Sequence, residues 1–214
     1  MIDMGSMTCV GACIFFPGAT WTYGTAACWP ADASYKLCVD GGTSPIIIDV
    51  DGNGYQLTSA AAGVQFDFYG SGTPIQIAWT DGSSTNAFLA LPGPDGKVSS
   101  GQQLFGNVTP QPECSDPNGF LSLAQYDSNN DGVIDAKDPI FSQLRLWQDT
   151  NHDGVSQAWE LHTLSELGVV SISLNYEIKK RTDQYGNQFR HRARVSDAAG
   201  KQSKWAYDVI LAQQ

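Results

Sequence analysis

The sequence predicts an α+β fold: a short β layer, a tandem helix-loop-helix pair sharing its middle helix, and a C-terminal antiparallel β meander. Three observations predict it. Short apolar runs punctuated by Gly, Ser, Asp and Pro fill residues 45–91. Two twelve-residue acidic stretches are bordered by apolar residues at helical spacing. After Gly168 the apolar period changes to two.

The elements follow in order. Residues 1–43 read as a cysteine-bearing segment ending in a hinge at Gly41, Gly42 and Thr43, with residues 44–214 as the main module. PIIIDV (45–50), VQFDF (64–68), PIQIAW (74–79) and AFLAL (87–91) read as strands. GFLSLAQY (119–126), PIFSQLRLW (139–147) and AWELHTLSEL (158–167) read as the three helices, with Pro139 in a first turn and Gly168 as a stop. VVSISLNYE, QFRHRARVS and KWAYDVILA read as the meander, with turns near Asp183–Asn187 and Ala198–Gly200. Alternation places Arg190, Arg192 and Arg194 on one solvent-facing side. That side either balances an acidic body or meets an acidic neighbour.

The acidic stretches are DSNNDGVIDAKD, from Asp127 to Asp138, and DTNHDGVSQAWE, from Asp149 to Glu160. Each has oxygen side chains at positions 1, 3 and 5, glycine at 6 and a carboxylate at 12, the pattern of an EF-hand calcium loop. Ca²⁺ is a hard cation that takes six to eight oxygens. The first loop offers Asp127, Asn129, Asp131, the Val133 carbonyl, Asp135 and Asp138. The second offers Asp149, Asn151, Asp153, the Val155 carbonyl, Gln157 through water, and Glu160. A single such stretch also makes an ordinary turn; two full-length ones starting 22 residues apart point to two Ca²⁺ sites. Asp138 is a methylene shorter than glutamate, which predicts a weaker first site. Asp49, Asp51 and Asn53 form a half-loop with Ala60 at position 12, either a third calcium site completed from elsewhere or a tight turn.

A net charge of −10 with only twelve Lys and Arg disfavours nucleic acid as a partner. No apolar run reaches a membrane span, and no signal peptide is visible at MIDMGSMTC. Cys9, Cys13, Cys28 and Cys38 crowd the first segment without zinc-site spacing, so two disulfides are expected, with free thiols as the alternative and Cys114 left over. His152, His162 and His191 are scattered, with His152 on the solvent side of the second loop, and no nucleophile, zinc-protease or phosphate-loop motif is present. No catalytic residue is expected. The six tryptophans are expected in core or interface packing rather than a carbohydrate platform.

From Pro45 to about Asn175, PIIIDVDGNG, GVQFDF, IAW, QQLFGNVT, NGFLSLAQYDSNNDGVIDAKD and LRLWQDTNHDGVSQAWELHTLSELGVVSISLNY occur in one order. Together they resemble the calcium-dependent self-processing module of iron-regulated RTX proteins and related bacterial EF-hand proteins. The resemblance implies an extracellular or cell-surface protein whose folding needs calcium. It also implies cleavage of an Asp-Pro bond just before the module, through attack of the Asp side chain on its own carbonyl. Here that bond is Ser44-Pro45, and a serine hydroxyl forms no such anhydride; Asp116-Pro117 and Asp138-Pro139 lie elsewhere. The family's further acidic loop is changed as well, with Leu91, Gly93 and Gln103 at its ligand positions. The expected function is a secreted, non-catalytic structural module stabilised by Ca²⁺. A subunit of an extracellular filament, binding copies of itself or other surface proteins, is the alternative. A self-cleaving module is disfavoured.

Overall fold

A computed structural model describes residues 42–111, 116–202 and 204–214, and the backbone of Cys13–Phe15 and Lys36–Cys38. Strands take 32% of the chain and helical turns 7%, which makes this a β protein. The strands are β1 (Cys13–Phe15), β2 (Lys36–Cys38), β3 (Ile46–Asp49), β4 (Val64–Phe66), β5 (Ile75–Ile77), β6 (Asn86–Ala90), β7 (Val133–Ile134), β8 (Arg145–Trp147), β9 (Leu161–His162), β10 (Ser171–Ser173), β11 (Glu177–Thr182), β12 (Gln188–Ser196) and β13 (Lys204–Ile210). One helix, α1 (Gly119–Ala124), stands among them. Nine strands form a curled antiparallel half-barrel in the order β7-β10-β12-β13-β3-β6-β8-β9, with β11 also on β12. β4 pairs with β5, and β1 with β2, as separate ribbons.

The sheet carries an apolar core on each face, so its central strands read as continuous apolar runs. Ile46 and Ile48 point into one core with Ala87, Leu89, Leu146, Phe120 and Leu123. Ile47 points into the other with Phe88, Trp147, Trp79, Phe66 and Phe68. The chain returns from its far end to complete this centre: β13 pairs with β3, Tyr207 opposite Ile47. That long-range pairing leaves no local trace in the sequence.

The expected tandem helix-loop-helix pair is absent, and the α+β reading is corrected accordingly. Only GFLSLAQY starts as a helix. Asn118 caps it by accepting from the backbone N–H of Phe120 and Leu121, and it lasts six residues. The expected middle helix is a turn over Pro139–Gln143 followed by β8, whose Leu146 and Trp147 enter opposite cores opposite Leu89 and Phe88. The third is a 3₁₀ turn at Ala158–Glu160 running into β9. The bare edge of β6 explains the outcome: pairing three residues there satisfies a backbone edge and buries both Leu146 and Trp147, which overrides a weak helical preference. Apolar spacing of three and four cannot separate a buried turn-plus-strand from a helix over so short a run.

The meander forms, with its first strand broken. β10 and β11 lie one after the other along the same edge of β12, separated at 174–176. Its turns sit where expected, Asp183 N–H donating to the Asn187 carbonyl and Asp197 N–H to that of Lys201. Arg194 is exposed, whereas Arg190 and Arg192 are half-buried. Arg192 and Arg194 both stack on Trp205, at 3.8 and 3.6 Å from the ring centroid.

The disulfide expectation is withdrawn, since no cysteine pair stands at bonding distance among the described residues. Cys13 and Cys38 face each other in register between β1 and β2, while Cys9, Cys28 and Cys114 lie outside the described residues. No described helix is long and apolar enough to cross a membrane.

Gly119 separates the two readings of the α1 region by sign. In a surface helix, Gly119→Ala would stabilise by about 1 kcal/mol. Here an added Cβ would stand 2.5 Å from Ile46 Cγ1 and 2.6 Å from the Phe105 carbonyl oxygen. Gly119→Ala is therefore expected to destabilise by about 1–3 kcal/mol, read as a lower urea midpoint; an unchanged or raised midpoint contradicts the packing.

Candidate metal centre

The two acidic loops fold alike, residue for residue. Position 1 accepts the backbone N–H groups of positions 5 and 6: Asp127 from Asp131 (3.2 Å) and Gly132 (2.8 Å), Asp149 from Asp153 (3.1 Å) and Gly154 (2.8 Å). Positions 4 and 6 are left-handed, at Asn130 and Gly132 (φ 56° and 79°) and at His152 and Gly154 (φ 57° and 71°). Glycine and asparagine tolerate that region; His152 is the costlier occupant. Position 12 closes the loop by accepting from the N–H groups of positions 2 and 9: Asp138 from Ser128 (2.8 Å) and Asp135 (3.1 Å), Glu160 from Thr150 (3.0 Å) and Gln157 (3.3 Å). Position 3 donates its amide to position 5, Asn129 to Asp131 and Asn151 to Asp153.

The loops differ in what surrounds them. The second is joined to the aromatic core. The Trp79 indole N–H donates to Asp149 Oδ2 at 2.8 Å, and that of Trp147 to Glu160 Oε2 at 3.3 Å. Asp149 is 2% exposed and Glu160 not at all. Their charges are held by N–H donors from all sides, the usual condition for burying a carboxylate. Sequence reading placed these tryptophans only in a core; Trp147, two residues before the loop, was the available signal. His152 is not on a free solvent face, because its Nδ1 and Nε2 lie 2.9 Å from the carbonyl oxygens of Thr80 and Ala62.

Two local features bear on whether a cation fits. Gln157 donates Nε2 to Asp153 Oδ2 at 2.8 Å, and its Oε1 is buried with no hydrogen-bond partner. An unpaired buried acceptor is costly until a donor, a water or a cation meets it. In the first loop, Lys137 Nζ lies 3.0 Å from Asp131 Oδ2 and 3.2 Å from Asp135 Oδ2. An ammonium thus stands against two of the oxygens assigned to calcium. Lys137 and then Asn129 hold the Asp131 carboxyl below its ordinary range. Burial pushes Asp138 up, but N–H donors from Asp135 and Ser128 outweigh it and hold the carboxyl low. No three carboxylate, imidazole or thiol groups converge as a ready cage among the described residues. Val133 lies in β7, and the Val155 side chain is exposed.

The half-loop at Asp49 repeats the first half of this geometry. Asp49 accepts from Asn53 (3.1 Å) and Gly54 (2.9 Å), with Gly52 and Gly54 left-handed. Asp51 and Asn53 are exposed, and position 12 is the buried Ala60. Asp67, unremarked in the sequence reading, does the same with Ser71 and Gly72; its signal was glycine at positions 4 and 6. At the altered loop, Gln103 Oε1 accepts from Ser99 and Ser100 N–H.

Ser44 lies in a second buried group. Its Oγ donates to Asp208 Oδ2 (3.0 Å), which also accepts the Gly119 N–H (2.6 Å) at the start of α1. Asn107 accepts the Ser44 N–H and donates to the Gly42 carbonyl. His191 stands between Asp208, with Nδ1 3.9 Å from Oδ1, and Asp116, with Nε2 3.0 Å from Oδ2. Arg190 pairs with the same Asp116, and the Tyr176 ring meets His191 edge-on.

The SPM domain family matches residues 46–212. The iron-regulated protein FrpA of Neisseria meningitidis serogroup C is similar, 35% identical over 171 residues, or 78% of this chain. The chain spans about 15% of that relative's length.

The buried group is expected to make stability pH-dependent. Burial alone lowers the affinity of His191 for a proton, but Asp208 first and Asp116 second outweigh it, so its pKa is raised above the ordinary 6.5. A raised folded pKa contributes stability that is fully present below about pH 6.5 and lost as pH rises through the folded value. Urea midpoints at fixed calcium should fall across that window, and the fall should be absent in His191→Gln. An equal slope in both proteins removes His191 as its source.

Proposed function

The chain belongs to the SPM domain family, and from that membership we propose that it is a calcium-stabilised extracellular module that neither turns over a substrate nor cleaves itself. The observation that carries the calcium reading is the repeated hydrogen-bonded geometry of the two full-length loops, each closed by a buried carboxylate. Asp127, Asn129, Asp131, Asp135 and Asp138 with the Val133 carbonyl would hold one ion. Asp149, Asn151, Asp153, Gln157 and Glu160 with the Val155 carbonyl would hold the other. Bound there, Ca²⁺ supplies two positive charges among acids that otherwise repel one another. The half-loop at Asp49 has no closing carboxylate and reads as a turn.

The non-catalytic part rests on Ser44. A serine at this position has no carboxyl group to form an anhydride. Its hydroxyl is committed to Asp208. Loops not enclosed by a helix on each side should bind calcium weakly, which suits the millimolar calcium found outside cells. The filament alternative has no observation of its own. The side chains of Ile14, Phe15, Phe16, Trp21, Tyr23 and Trp29 lie outside the described residues.

Two measurements test this reading. Calcium at a hundred times its Kd is expected to stabilise the fold by about 2.7 kcal/mol per site, and chelation should reverse the gain. Glu160→Gln should weaken one site about tenfold, or 1.4 kcal/mol. An unchanged melting curve in EGTA would sink the calcium reading. Intact mass after incubation with calcium should show one full-length species; a fragment beginning at Pro45 would overturn the non-processing part.

A further inference from the structure

We propose that Lys137 is a tethered competitor of calcium in the first loop, so that the second loop fills first and the first fills only when this ammonium is displaced. The inference rests on the calcium reading of the loops and specifies their order.

The loops are equivalent in backbone; besides the closing residue and the surroundings, they differ in what meets the carboxylate at position 5. In the second loop Asp153 Oδ2 receives only neutral amides, from Asn151 (2.9 Å) and Gln157 (2.8 Å). In the first, Asp131 Oδ2 receives the Asn129 amide (2.8 Å) and the Lys137 ammonium (3.0 Å). The same ammonium reaches Asp135 Oδ2 at position 9. The residue at position 11 is therefore a cation in one loop and Trp159, 60% exposed, in the other. The ammonium and a calcium ion would share two oxygens, and two cations cannot sit on the same carboxylates at contact distance without strong repulsion. Lys137 is free to leave, since its side chain is 65% exposed. Competition by an exposed ion pair is modest. It delays the first loop without abolishing it. The second loop has the opposite bias: Gln157 Oε1 is a buried acceptor without a donor, which favours a cation.

The test is a calcium titration of wild-type protein and Lys137→Gln by calorimetry, with terbium luminescence excited through tryptophan to identify the second loop, whose acids touch Trp79 and Trp147. In Lys137→Gln the weaker calorimetric step should tighten by about three- to tenfold, from loss of the ion pair and of a nearby positive charge. The terbium-reported step should stay within about twofold. Amine labelling of the unaltered protein gives an independent readout: acylation of Lys137 should rise with calcium relative to Lys97 and Lys201. Two steps with the weaker one unchanged in Lys137→Gln, or labelling of Lys137 that does not rise, overturns the competition while leaving the calcium reading intact. No calcium step in the wild-type protein overturns both.

Discussion

Two indole N–H groups join the hydrophobic core to the second acidic loop, and much of the arrangement depends on that junction. Trp79 and Trp147 meet edge to face with centroids 5.5 Å apart and pack on Phe66 and Phe88. From this cluster they donate to Asp149 and Glu160, the first and last residues of the loop. Burying two carboxylates is costly unless each is surrounded by donors, and here the loop's own backbone supplies the remainder. The position of the loop is thus fixed by the same side chains that fill the core. A change in the charge felt by Glu160 therefore reaches Trp147, and with it the aromatic core, directly.

The turn geometry of both acidic loops was legible in the sequence, because an aspartate that accepts the N–H groups four and five residues on requires that local pattern. The central strands were legible too, since Ile46, Ile47 and Ile48 suit a two-sided buried strand. The fates of the second and third expected helices were not. Ile140, Leu144 and Trp147 have helical spacing on paper, yet the free edge of β6 claims Arg145–Trp147, and that edge is invisible without the fold. The role of Gly119 was not legible either: its lack of a side chain serves the approach of Ile46 and Phe105.

The boundary before the module is also more structural than its composition suggested. Glycines at 41 and 42 read as a hinge, but Thr43 and Ser44 are buried. The Leu211 N–H donates to the Thr43 carbonyl and that of Val209 to the Pro45 carbonyl, which extends β3 along β13. Asp208 gathers this strap, the start of α1 and His191 around one carboxylate. Segments from positions 44, 119, 191 and 208 therefore share one electrostatic environment, which is why a single imidazole can make the fold sensitive to pH.

What replaces the missing helices is the sheet and its loops. In a paired helix-loop-helix unit the two loops would brace each other. Here each is braced elsewhere. Ile134, at position 8 of the first, pairs with Ile172 of β10, and Leu174 N–H donates to the Gly132 carbonyl. Ser156, at the same position of the second, exchanges hydrogen bonds with the backbone of Val98. Among the described residues no strand pairing joins the two loops directly; between β7 in the first and β8 before the second stand β10, β12, β13, β3 and β6 of the one sheet. Local bracing of this kind leaves each loop's surroundings open to local substitutions, such as lysine against tryptophan at position 11, without altering the sheet they share.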